Sequence, residues 1–215
     1  LKALTVFAMP LILGSFFQQV YNMADSIIVG QFVGSSALAA VGACAALTNV
    51  FICVALGAGV GAGVLVSRYF GAKEYDKMKT IVSTSLISFL LLSICLGIIG
   101  FCFSRRMLCV LQTPDDILDT AVLYLRVYFV GFPFLFMYNI LSSMFTSIGE
   151  SKIPLGLLIF SSAFNIGLDY RMVAGLGLGV FGAALATLIA QGISAVLSLL
   201  FFLKRMKRYQ GSFRR

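Results

Sequence analysis

Between Asp25 and Arg68 the chain carries no Asp, Glu, Lys or Arg at all. A spanning helix needs only ~20 apolar residues, so this stretch is long enough to cross a bilayer. In lipid the backbone must satisfy its own hydrogen bonds, which leaves helices and closed barrels. Barrel strands show as segments of ~10 alternating residues, and the run does not alternate. The expected fold is therefore an all-α integral membrane protein. The whole sequence agrees, with 60% hydrophobic and 11% charged residues against ~25% charged in soluble domains.

Polar punctuation divides the 215 residues into six expected spans: about Leu4–Val33, Ala37–Phe70, Thr80–Phe103, Asp115–Ser147, Ile153–Val173 and Val180–Leu203. Gly34-Ser35-Ser36, Gly71 to Lys79, Ser104 to Thr113, Gly149 to Lys152 and Gly175 to Gly179 read as the connections. Pro114 before Asp115-Asp116 is a strong helix start, because acids suit the positive end of the dipole. Gly57, Gly59, Gly61 and Gly63 allow a close helix contact in lipid. The apolar run after Lys2 is too long for a secretory signal and reads as the first span. Residues 1–203 are then a six-helix lobe and 204–215 a basic linker, expected to be part of a longer protein.

The charges define a side. Lys2, Arg68, Lys73, Lys77, Lys79, Lys152, Lys204, Arg205, Lys207, Arg208, Arg214 and Arg215 fall on one face, and Arg105, Arg106, Arg126 and Arg171 on the other. Basic residues favour the cytoplasm, which puts both termini there. The net charge of +8 thus reads as topology rather than as a nucleic-acid surface. The five cysteines include no CxxC pair and no histidine is present, so they read as apolar fillers and no nucleophile–base set or cofactor site emerges. Gly177-Leu178-Gly179-Val180-Phe181-Gly182 fits GxGxxG, but it lacks a preceding strand and a following acid.

What remains is polarity inside the spans. A carboxylate there costs ~2.5–3.5 kcal/mol on insertion scales and usually marks an ion or substrate path. Counting ~1.5 Å per residue from the outer helix ends, Asp25 lies at ~12 Å, Tyr124 at ~14 Å, Asn165 at ~12 Å, Asp169 at ~6 Å and Thr187 at ~10 Å. Asn165 and Asp169 share a helix face. Two carboxylates, a carboxamide and a hydroxyl suit a hard monovalent cation, and two close carboxylates suit a proton equally well. Other readings stand beside this one: Asp169 as partner of Arg171, Asp25 solvated in a water-filled cavity, Tyr124 as an interfacial aromatic, and Thr187 as a packing residue. Arg126 either neutralises a carboxylate or snorkels outward.

Several segments together carry a family resemblance. Pro10 with Gln18-Gln19-Val20-Tyr21-Asn22, Asp25 and Gly30 looks like the first helix of the multidrug and toxic compound extrusion (MATE) transporters. Ser67-Arg68-Tyr69-Phe70-Gly71-Ala72-Lys73 resembles their loop between helices 2 and 3. Asn165-Ile166-Gly167-Leu168-Asp169 and Gly179-Val180-Phe181-Gly182-Ala183-Ala184-Leu185-Ala186-Thr187 are similar to their helix 5–6 signature. The resemblance implies half of a twelve-helix transporter, with a second six-helix lobe as partner. It implies antiport of lipophilic, mainly cationic drugs against Na+ or H+ across the cell membrane, with no other cofactor. It places the cation site on Asp25, Asn165, Asp169 and Thr187, with Tyr124 less firmly attached; these same four residues are the candidate Na+ ligands. A lipid or lipid-linked oligosaccharide flippase of the wider superfamily is the alternative, and a non-transporting scaffold is the reading from another class.

Overall fold

The computed structural model describes residues 2–211, with side chains for 8–10 and 12–206. Six long helices follow one another: α1 Lys2–Phe32, α2 Ser35–Gly71, α3 Tyr75–Val110, α4 Asp115–Ser147, α5 Lys152–Asp169 and α6 Gly179–Gly211. A π-helical turn, Tyr170–Gly175, continues α5. α2 to α6 are long and apolar enough to cross a membrane, α5 counted together with its π turn, and α1 is the sixth helix. Large apolar side chains such as Val60, Ile87, Ile98 and Leu200 lie exposed on the outside. That surface suits lipid rather than water.

The expected span count holds, and α4 begins at Asp115 as its start signal indicates. The ends of α3 differ. Tyr75–Lys79 and Ser104–Val110 are helical rather than loop, because charged residues such as Lys77 and Arg105 are good helix formers that simply emerge from lipid. α6 likewise runs through the basic segment to Gly211, so the expected linker from residue 204 begins as helix. The rest of that linker, residues 212–215, lies outside the described residues.

α4 is the central helix, packed against α2, α3 and α6. Its Phe129, Phe132, Phe136 and Phe145 are buried, and their rings meet Phe51, Phe89 and Phe202 mostly edge-on. In lipid such packing, rather than water exclusion, holds helices together. Of the α2 glycines, Gly59 and Gly63 press on Asn139, Ser143 and Ser147 of α4, while Gly57 and Gly61 face open space. On α3, Gly100 seats the Phe129 ring.

α1 stands off this core and leans mainly on α5. A second, smaller apolar cluster of Val29, Ala37, Val173, Val180 and Ala183 closes that end, and Tyr124 borders both clusters. The GxGxxG segment has a structural explanation. Gly177 and Gly179 take φ of +64° and +58° in the α5–α6 connection, a region costly for other residues. Gly182 fits so tightly that a Cβ there meets Leu178 Cβ at 2.9 Å and Met172 O at 3.2 Å.

Candidate functional site

Four helices converge on one polar spot between the two apolar clusters. α1 presents Tyr21, Asp25 and Val29 on one face, as i, i+4 spacing requires. Asp25 is 9% exposed and Val29 is fully buried. α5 presents Asn165 and Asp169 at the same spacing, 2% and 0% exposed. Thr187 of α6 joins them: its Oγ1 accepts from Asn165 Nδ2 at 3.4 Å and lies 3.3 Å from the Tyr21 hydroxyl. Tyr124 of α4 is close to Asp25, Tyr21 and Tyr128. The structure thus brings Asp25, Asn165, Asp169, Thr187 and Tyr124 to one place. Beside Thr187 lies a cavity of about 10 Å³ bordered by Tyr124, Tyr128, Leu188 and Gln191, room for about one water.

The electrostatics of the spot are unusual. Buried polar atoms almost always find a hydrogen-bond partner. Among the described residues, the buried side-chain atoms that lack one are Asp25 Oδ1, Asn165 Oδ1, both Asp169 oxygens and the Tyr128 hydroxyl. All belong to this region, and four of the five are pure acceptors. The Asp25 and Asp169 carboxyls lie within hydrogen-bonding reach of each other as well as of each other's charge, so the donor either can find here is a proton carried by the other. Oxygen acceptors gathered without donors are the ligand set a hard cation takes, and a proton on either carboxylate would serve the same need.

Arg171 does not supply the missing charge. It is exposed, and both Asp169 oxygens remain without a donor. The π turn that starts at Tyr170 separates the two residues. The Arg171 carbonyl accepts from Leu176 N at 3.0 Å and the Met172 carbonyl from Leu178 N at 3.1 Å. Tyr170 packs its ring against Phe32 of α1 at 5.8 Å, which fixes the turn beside α1. Arg126 also stays away from the carboxylates: its Nε donates to Ser104 Oγ of α3 at 3.4 Å.

Two residues of the spot go beyond the sequence expectation. Tyr21 lies four before Asp25 and Tyr128 four after Tyr124, so helical spacing from the expected residues is the signal by which both can be found. Gln191, four after Thr187, follows the same rule at the cavity edge.

Comparison with known proteins gives this arrangement a family. A family model described as MatE matches residues 10–171. The chain is 31% identical over 210 residues to the probable multidrug resistance protein YoeA of Bacillus subtilis, covering 96% of this chain and 45% of that protein. It is 29% identical over 207 residues to the multidrug export protein MepA of Staphylococcus aureus, covering 94% and 45%. An outward-facing multidrug resistance MATE transporter of the MOP superfamily superposes with a TM-score of 0.88 at 28% identity, covering 95% of this chain and 45% of that one. The chain spans about half the length of the curated relatives it matches. Its helix order, its membrane character and these matches together establish that the chain belongs to the MatE family of multidrug efflux transporters, whose members are not enzymes.

Proposed function

We propose that this chain is the N-terminal lobe of an antiporter that exports lipophilic, mainly cationic compounds in exchange for Na+ or H+. The cation site is formed by Asp25, Asn165, Asp169 and Thr187, with Tyr21 and Tyr124 at its edge, in the outer half of the membrane. The observation that carries the reading is the convergence of four donorless buried acceptor oxygens. The relatives named as multidrug resistance and export proteins support the substrate class.

The chain's own residues suggest how coupling works. With no cation, two carboxylates repel in a dry site, which disfavours close packing of α1 on α5. A Na+ or H+ from outside removes that repulsion and draws the two helices together. A cationic drug competes for the same negative charge and leaves as the coupling ion binds. The lobe then rocks against a second six-helix lobe to give alternating access. With both ends of this segment in the cytoplasm of a polarised cell membrane, inward ion flow gains ~2.3 kcal/mol per charge per 100 mV.

The test is radiolabelled Na+ binding and drug efflux by the protein expressed from its complete reading frame and reconstituted in liposomes. Saturable binding or proton-driven exchange lost in Asp25→Asn, with normal insertion, is the expected result. Undiminished efflux in that variant overturns the reading.

A further inference from the structure

On the α3 side of α4, away from the face that carries Tyr124, Tyr128 and Gly131, lies an open groove of about 230 Å³. Its walls are apolar throughout: Ile94, Ile98 and Phe101 along α3, Val130 and Pro133 along α4. Its floor is where Gly97 meets α4, so close that a Cβ would stand 3.0 Å from the Phe129 carbonyl. The lack of a side chain at Gly97 keeps the groove open. Ile94, Ile98 and Phe101 occupy one stripe of α3, stepping ~10 Å along the helix axis at ~1.5 Å per residue.

At the mouth of the groove stands Arg126. Its guanidinium lies over the Phe101 ring, 5.3 Å from the centroid, and its Nε donates to Ser104 Oγ at 3.4 Å. These two contacts hold the plane of the group and leave its terminal nitrogens unengaged. No carboxylate among the described residues pairs with it; the neighbouring acid, Asp119, is taken by Arg105 at 2.7 Å. Ser104 directly follows the apolar run of α3 and precedes Arg105-Arg106, so the Arg126 side chain reaches outward to bring its guanidinium level with the end of that run. Arg106 adds a further positive charge nearby, resting over the Phe103 ring at 5.5 Å.

We propose that this groove binds an anionic phospholipid, with the phosphate on Arg126 and one acyl chain laid between α3 and α4 down to Pro133. The depth profile matches such a lipid, a held cation at the interface and an apolar slot running inward from it. A guanidinium is the preferred partner of a phosphate because its donors match the oxygen geometry, and basic pockets between spanning helices recognise anionic headgroups. The same positive charge disfavours a cationic drug in this slot.

Tryptophan is absent from the 215 residues, so Val130→Trp adds a reporter read as the difference from the parent protein. The full protein is placed in phosphatidylcholine vesicles containing either dibrominated phosphatidylglycerol or dibrominated phosphatidylcholine. The phosphatidylglycerol is expected to quench Val130→Trp with about five-fold higher apparent affinity, the effect of about one well-placed basic residue. Arg126→Gln removes that preference, and Arg126→Lys, which keeps the charge, retains most of it. Ile87→Trp, on the exposed surface of α3, shows equal quenching throughout and reports that the variants are folded and in lipid. Equal quenching at Val130→Trp with Arg126 intact overturns the proposal. Absence of quenching by either lipid overturns it too, because protein then covers the groove.

Discussion

Asn165 donates a hydrogen of its carboxamide to Thr187. The Nδ2 donates to the Thr187 Oγ1 at 3.4 Å, and this fixes the carboxamide with its Oδ1, an acceptor that has no donor, on the other side. In the proposed site the Thr187 hydroxyl therefore orients the Asn165 carboxamide besides offering its own oxygen. It also meets the Tyr21 hydroxyl at 3.3 Å, so one side chain on α6 aligns groups on α1 and α5.

Thr187→Val tests this. It keeps the shape and removes the hydroxyl, which frees the carboxamide to rotate. Na+ affinity is expected to fall about three- to ten-fold, the worth of a neutral hydrogen bond of ~0.5–1.5 kcal/mol. Equilibrium binding of radiolabelled Na+ measures it, and an unchanged affinity sinks the orienting role.

Asp25→Asn and Asp169→Asn are expected to act in opposite directions on binding and on stability. Each removes a carboxylate of the proposed cation site, with an expected loss of about ten- to hundred-fold in Na+ affinity. Each also removes one of two like charges held in a buried site, which relieves a cost of the cation-free protein. The ion-free variants should therefore unfold ~2–4 °C higher for each kcal/mol recovered. Adding Na+ raises the parent's midpoint by mass action and raises the variants' midpoint by less at the same concentration. Thermal unfolding by circular dichroism, with and without Na+, separates the two effects.

A pH series follows from the same four oxygens. A proton on either carboxylate takes away the charge that attracts Na+, so apparent Na+ affinity must fall as pH falls. The competition is expected to disappear in the double variant Asp25→Asn with Asp169→Asn. Na+ titrations across acid to neutral pH, followed calorimetrically, read this directly.

The packing of α3 on α4 gives a stability prediction. Gly100 faces the Phe129 ring with no room for a Cβ, and Phe129 is locked by Phe51, Tyr128 and Phe132. Gly100→Ala should cost ~1–3 kcal/mol, as overpacking usually does. Gly57→Ala, on the open side of α2, should change the unfolding midpoint little.

The ion pair between Arg205 Nε and Glu150 Oε2 at 2.8 Å ties the α4–α5 connection to α6. It is partly exposed, so a contribution of up to ~1 kcal/mol is expected. A double-mutant cycle of Glu150→Gln and Arg205→Gln, scored by thermal unfolding, isolates it.

Much of this architecture is written in the sequence because lipid imposes a simple rule. Helix-length uncharged runs can only be spans, and depth along a span is arithmetic, so Asp25, Asn165, Asp169 and Thr187 could be placed in one layer before any coordinates. The ends of α3 were less legible. Lys77 and Arg105 end the apolar run without ending the helix, since a charge leaves the membrane but does not break backbone hydrogen bonds. The π turn had no signature either. Tyr170-Arg171-Met172-Val173-Ala174-Gly175 holds no Pro, and its one Gly stands at the end of the turn, so it is tertiary contact with Phe32 and the tight seat of Gly182 that accompany the wider turn. Without that turn, sequence alone left Arg171 as a neighbour for Asp169.

The position of α1 has a consequence for how the molecule is made. It leaves the ribosome before α2 to α6, carrying Gln18, Gln19, Asn22 and Asp25 among its apolar residues. The helix it leans on, α5, and the hydroxyl its Tyr21 meets, on α6, are synthesised only after α2, α3 and α4. Until then α1 lacks the partners for its polar residues, and its residence in the bilayer becomes secure when α5 and α6 arrive. Chains truncated before Lys152 should leave α1 more open to chemical labelling from water than the chain carried through α6.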